Sequence, residues 1–130
     1  MKHYNVVAAI IMHNNKILCM QRGPSKYNYI SNKYEFPGGK IEENETEINA
    51  LIREIKEELI IDISVEKKFI IVDHTYPDFK ITMHCYICTS ESKAFTLTEH
   101  IDYKWLEKLE LEKLDWAAAD IPIIKKLINE

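Results

Sequence analysis

The sequence predicts one α/β (α+β) domain spanning residues 1–130, in which helices pack on a mixed sheet. Two observations predict it. Short apolar runs with strand character recur at Val6–His13, Lys16–Gln21, Ile63–Val72 and Phe79–Thr89, and a strongly amphipathic helical stretch falls between the second and third of them. The length of 130 residues suits one domain with a true core, and neither a linker, a repeat nor a low-complexity segment divides it.

Each element has its own local signal. Asn14-Asn15 separates the first two runs and reads as the turn of a hairpin. Gly23 to Lys33 is polar and Tyr-containing, hence a loop. In the helical stretch, Ile48, Leu51, Ile52, Ile55 and Leu59 recur at the spacing of a buried stripe. Thr46 supplies an N-cap, with Glu47 in the first turn where the helix dipole favours negative charge. Phe79 to Thr89 alternates, with Ile81, Met83, Cys85 and Ile87 on one side. A further strand is expected near Tyr103–Trp105, and a closing helix over Ala117–Ile128 with Pro122 in its first turn.

Glu54, Glu57 and Glu58 stand at i, i+3 and i+4, so one helix edge carries all three carboxylates. Like charges at that spacing cost an isolated helix a few tenths of a kcal/mol (roughly 0.2–0.5) per pair. A hard divalent cation would repay that repulsion, and Mg²⁺ commonly brings a phosphate substrate with it. A solvated acidic surface is the simpler account of three glutamates alone. Upstream, Glu35-Phe36-Pro37-Gly38-Gly39-Lys40 argues against it, because such a turn lets main chain approach a ligand closely.

The run from Gly39 to Ile61 resembles the Nudix box, Gly-x5-Glu-x7-Arg-Glu-U-x-Glu-Glu-x-Gly-U, a signature of hydrolases acting on nucleoside diphosphates linked to another group. Gly39, Glu45, Arg53, Glu54, Ile55, Glu57, Glu58 and Ile61 fall on the pattern, and Ile60 stands where the second glycine is usual. A β-branched residue suits the left-handed conformation after a helix poorly, so the helix is expected to end without that cap. Arg22, the stretch Asn32 to Glu42, Tyr76 to Thr82, and Ala119 to Pro122 extend the likeness over most of the chain, toward the MutT and CTP pyrophosphohydrolase branch.

The resemblance implies a Nudix α/β/α sandwich. It also implies hydrolysis of a nucleoside triphosphate to monophosphate and pyrophosphate, with 8-oxo-dGTP, CTP or dCTP among candidate substrates. Mg²⁺, or Mn²⁺, is the implied cofactor, held by Glu54, Glu57 and Glu58 and the Gly38 carbonyl. Glu99 either joins them from a loop or lies in solvent. Glu54 is the candidate general base, though another glutamate can serve, and Arg53 and Glu57 complete the implied catalytic set. The residues themselves favour Arg53 as a bidentate partner of Glu45 or of a metal ligand.

Arg22, Glu35, Phe36, Lys40 and Asp120 are the candidate substrate contacts. Asp120 either reads a base edge, where a carboxylate accepts donors from guanine or cytosine, or caps the last helix. Phe36 and Tyr34 stack on the base, or Phe36 is core. His100 reads as structural. Cys85 and Cys88 have CxxC spacing, but on a strand they point to opposite faces. Other Nudix substrates, such as nucleotide sugars and dinucleoside polyphosphates, and a non-catalytic nucleotide sensor stay open.

Composition narrows the partners. A net charge of −4 argues against a general nucleic-acid surface, and no apolar run reaches membrane-spanning length. Three cysteines are too few for a disulfide scaffold and fit a reducing cytoplasm. The expected molecule is a monomer or homodimer.

Overall fold

The computed structural model describes residues 1–130. Its strands are β1 (Lys2–His13), β2 (Lys16–Gln21), β3 (Tyr34–Glu35), β4 (Gly38–Lys40), β5 (Ser64–Thr75), β6 (Phe79–Thr89) and β7 (Asp102–Leu106). Helix α1 (Glu47–Leu59) lies between β4 and β5, and 3₁₀ turns at Lys108–Lys113 and Ala118–Asp120 lead into α2 (Ile121–Ile128).

The strands form one seven-stranded mixed sheet whose main path is β3-β2-β1-β6-β5. β1 is its centre. One edge pairs in parallel with β6 along nearly its whole length, from Lys2 with Phe79 to Met12 with Thr89. The other edge is shared: Val6–Ala8 pair with β4, and Met12–His13 pair with β2. The middle of β1 is also covered on both faces by helices, which explains its unbroken run Val-Val-Ala-Ala-Ile-Ile. Asn14 and Asn15 both adopt positive φ (49° and 65°), the conformation of the tight hairpin turn expected from their sequence.

Two cores lie on the two sheet faces. Val7, Ala9 and Ile11 meet Leu51, Ile55 and Leu59 of α1; Ala8 and Ile10 face Ile123, Ile124 and Leu127 of α2. Burying each of the large aliphatic side chains contributes at most about 1.5–3 kcal/mol, so both helices are held chiefly by these contacts. Cys85 falls in one core and Cys88 in the other, both as free thiols, as strand alternation requires. The layers are helix, sheet and helix. No helix is long and apolar enough to cross a membrane.

Three local expectations need correction. Ile48 and Ile52 are not in the buried stripe of α1, being 44% and 40% exposed, whereas Ala50 and Glu58 are buried beside Leu51, Ile55 and Leu59. The helix is thus rolled so that its carboxylate edge turns inward. The closing helix is shorter than Ala117–Ile128, because the chain first makes a 3₁₀ turn. Ile60 takes the left-handed position after α1 (φ 56°, ψ 38°) despite its branched side chain, and its N–H bonds the Lys56 carbonyl.

That last feature carries a stability prediction. A left-handed L-residue costs roughly 1–2 kcal/mol, and Ile60 is 52% exposed, so little packing offsets the strain. Ile60→Gly should raise the melting temperature by several degrees. A drop in the melt of the size expected for a core cavity would show that the side chain packs after all.

Candidate active site

A cavity of about 950 Å³ opens between the ends of β1, β3, β4 and α1 on one side and the 23–30 loop and α2 entrance on the other. Gly38 and Gly39 line its floor, and steric demand explains both glycines. A Cβ on Gly38 would overlap the Val7 carbonyl, and one on Gly39 would overlap the Glu54 carboxyl group. Neither glycine has a positive φ, so close approach, and not left-handed backbone, is what requires them.

Glu54 and Glu58 reach this floor from α1. Glu58 is buried and one of its oxygens, Oε2, has no hydrogen-bond partner. Burial pushes its pKa up to about 9, helped by the charges of Glu35, Glu99 and Glu54. Burial also raises Glu54, although Arg53 opposes the shift. Leaving a buried carboxyl oxygen unpaired among other carboxylates is costly. The residues therefore fit a bound divalent cation, whose ligands are ionised oxygens.

Arg53 and Glu57 do not line the cavity. The Arg53 guanidinium grips Glu45 with Nε and Nη2 at 2.6 and 2.9 Å, and reaches Glu54 at 3.0 Å, Glu57 at 3.3 Å and the Lys40 carbonyl at 3.1 Å. The Arg53 hydrogen bonds hold Glu45 down to about 2. Arg53 is thus the partner of the carboxylates, as the residues themselves suggested, and it does not face the reacting space. Glu57 departs from expectation: its carboxylate is mostly exposed and rests against Arg53. No three acidic, His or Cys side chains close on one point as a finished metal cage.

The remaining metal and substrate candidates, Arg22, Glu35, Phe36, Gly38, Lys40, Glu99 and Asp120, all line the cavity, and Tyr34 does not. The 98–99 segment is anchored on the end of α1, where Thr98 Oγ1 donates to the Glu58 carbonyl at 2.7 Å and the Thr96 N–H donates to Leu59 at 2.9 Å. Those bonds satisfy carbonyls that a helix end leaves open. Lys40 lies over the Tyr4 ring at 4.4 Å.

Asp120 does not cap α2. Its side chain makes no capping bond, and Oδ1 instead accepts the Phe36 N–H at 3.1 Å across the cavity floor. Burial raises its pKa well above that of a free carboxyl group. This changes the chemistry expected from sequence. One oxygen is already engaged, and burial favours the protonated form, which offers a donor as well as an acceptor. Phe36 is buried and stacked on Trp116 at 4.9 Å while edging the cavity. Tyr34 is absent from the lining and bonds Asp102, so it is not placed to stack on a base.

No local pattern marks a site role for the aromatic wall of Tyr4, Tyr27, Tyr76 and Phe79, or for His100. Tyr76 is fixed there by accepting the Ala119 N–H at 2.9 Å. A cluster of tyrosines in the 23–33 loop and again near Phe79 was the available signal; only folding brings the two groups together.

Residues 6–126 match the model of the NUDIX domain. An 8-oxo-dGTP diphosphatase of Escherichia coli (strain K12) is 31% identical over 128 residues, covering 98% of both chains. A CTP pyrophosphohydrolase of the same strain is 33% identical, covering 96% of this chain and 91% of its own. The solution structure of a DNA mismatch repair protein MutT (family Nudix hydrolase), from methicillin-resistant Staphylococcus aureus 252, is 47% identical. It covers 99% of this chain and 98% of its own, with a TM-score of 0.76.

Proposed function

The chain belongs to the Nudix family, and on that premise we propose that it is a divalent-metal-dependent pyrophosphohydrolase of nucleoside triphosphates, releasing the monophosphate and pyrophosphate. One observation carries the reading. A single cavity of nucleotide size joins a carboxylate end, Glu54, Glu58 and Glu99, to an aromatic and apolar end closed by Asp120. Such a cavity suits a ligand with a phosphate chain at one end and a base at the other. Two of its relatives are named for nucleoside triphosphate substrates, 8-oxo-dGTP and CTP.

Glu54 and Glu58 would hold the cation, Mg²⁺ or Mn²⁺, with Glu99 and the Gly38 carbonyl beside them. Glu57 would join only by leaving Arg53. A cation bound there neutralises phosphate charge and lowers the pKa of water. The chain's own part is positional. Arg53 fixes Glu54 and Glu45, and Gly39 admits the Glu54 carboxylate against the backbone. Arg22 and Lys40 supply positive charge at the rim. Glu54 is the candidate to take the proton of the attacking water, held beside the backbone of Gly39 at the cavity floor.

Base selection rests on Asp120. The buried carboxyl group presents one free oxygen to the base, and an amide of the same shape presents a donor there. Asp120→Asn should stay within a few-fold of wild type on the preferred base, while Asp120→Ala should lose about tenfold or more in kcat/KM. The test is a panel of 8-oxo-dGTP, dGTP, CTP, dCTP and UTP with Mg²⁺, resolving pyrophosphate from orthophosphate. Pyrophosphate release abolished by EDTA is expected. Turnover unaffected by EDTA would overturn the metal assignment, and uniform losses across the panel would move the base site away from Asp120.

A further inference from the structure

His100 sits in the loop before β7 with its side chain only 5% exposed, at the wall of the same cavity. Its Nε2 lies 3.0 Å from Glu35 Oε2. The other Glu35 oxygen, Oε1, accepts from Arg22 Nη1 at 3.1 Å. An ionised carboxylate only accepts, so Nε2 is the donor. Nδ1 is buried without a partner, as is only one other side-chain polar atom, Glu58 Oε2, which faces the same cavity. A buried ring nitrogen without a protein partner is uncommon and calls for a reason.

Arg22 is nearly half exposed, and a guanidinium so placed wanders among rotamers unless its anchor is fixed. Glu35 is that anchor, and it lines the same cavity as Glu58 and Asp120. We propose that His100 is a positioning residue: its Nε2–H clamps the Glu35 carboxylate, which in turn holds the Arg22 guanidinium over the stretch of the cavity where the phosphate chain passes. The inference rests on the reading of this cavity as a nucleoside triphosphate site. A guanidinium held there contacts the substrate before and during reaction, so its loss shows in KM more than in kcat.

The chain contains only two arginines, Arg22 and Arg53, which makes a readout independent of activity possible. The ¹⁵N signals of their Nε–H groups report whether each guanidinium is held. His100→Phe keeps a ring and removes the donor. It should raise KM for dGTP about tenfold, the lower end of what losing such an orienting partner costs. It should leave kcat within about threefold and bring the Arg22 signal to the exchange-broadened position of a free side chain. His100→Gln restores an N–H of similar reach and should recover most of both. The Arg53 signal should not move.

An unchanged Arg22 signal in His100→Phe would overturn the proposal. So would a Glu35→Gln/His100→Phe pair that loses as much again as Glu35→Gln alone, because His100 would then act by another route. If His100→Phe unfolds, the Arg53 signal collapses with the other, and His100→Asn replaces it: its shorter amide cannot reach Glu35, and a wild-type Arg22 signal there would sink the clamp. Should the wild type turn over no nucleoside triphosphate, the functional reading fails while the Arg22 signal still decides whether His100 positions it.

Discussion

Glu58→Gln should abolish turnover and at the same time make the metal-free protein more stable. The buried Glu58 carboxyl has an orphaned oxygen and lies within the field of Glu35, Glu99 and Glu54. Glutamine keeps the shape and removes the charge. Losing a direct cation ligand should cost more than about 100-fold in kcat, beyond the 10–100-fold typical of a group that only orients a ligand. The sign of the stability effect follows from linkage. The folded pKa of Glu58, about 9, is above its ordinary value of 4.5, so its contribution is fully present below pH 4.5 and is lost as the pH rises toward 9. The variant has no such loss. Melting curves without metal should therefore diverge above pH 5, with Glu58→Gln the more stable and the gap widening to pH 9. Adding Mg²⁺ should raise the wild-type melt, chiefly at the alkaline end, and leave the variant nearly unchanged. A variant that melts below wild type across this range, or that keeps its activity, would remove Glu58 from the cation site.

The sequence located Glu58 but not its burial. Helical periodicity counts apolar side chains, and Ile48 and Ile52 entered the stripe because they are isoleucines at the correct spacing. The sheet and the glycine turn fix how far α1 is rolled: Gly39 has no Cβ, so Glu54 can sit against it, and that brings Glu58 inward while Ile48 and Ile52 turn out. The hairpin, the central strand and the α1 N-cap were legible because each depends on neighbours a few residues away; Thr46 does accept the Asn49 N–H. Asp120 was legible only as two alternatives, since its partner, the Phe36 N–H, is 84 residues distant. His100 carried no signal at all, because the Glu35 it bonds is 65 residues away and no periodicity links them. Ile60 shows the reverse limit. Its branched side chain disfavours the left-handed turn, yet the chain takes that turn to leave α1 toward β5.

Arg53→Lys should be nearly as damaging to turnover as the loss of a ligand, although Arg53 itself does not line the cavity. Its planar fork is fully used: two parallel bonds to Glu45, one to Glu54, a weaker reach to Glu57 and one to the Lys40 carbonyl. A lysine is a point charge on a flexible stem and can satisfy one of these at a time. The carboxylates it releases then repel one another, and Glu54 loses the contact that orients it beside Gly39. We expect kcat to fall about 10–100-fold, with KM for the nucleotide changed far less and the Mg²⁺ concentration for half-activity raised. Acid titration gives a second, independent readout. Arg53 holds Glu45 down to about 2 from an ordinary 4.5, so the stabilisation it provides is present above pH 4.5 and is lost as the pH falls toward 2. Wild type should therefore show a steep acid limb in its melting temperature over that window, and Arg53→Lys a shallower one from a lower plateau. If kcat survives the change while the acid limb flattens as described, Arg53 supports the fold of the loop alone, and the orientation of Glu54 must come from its packing against Gly39.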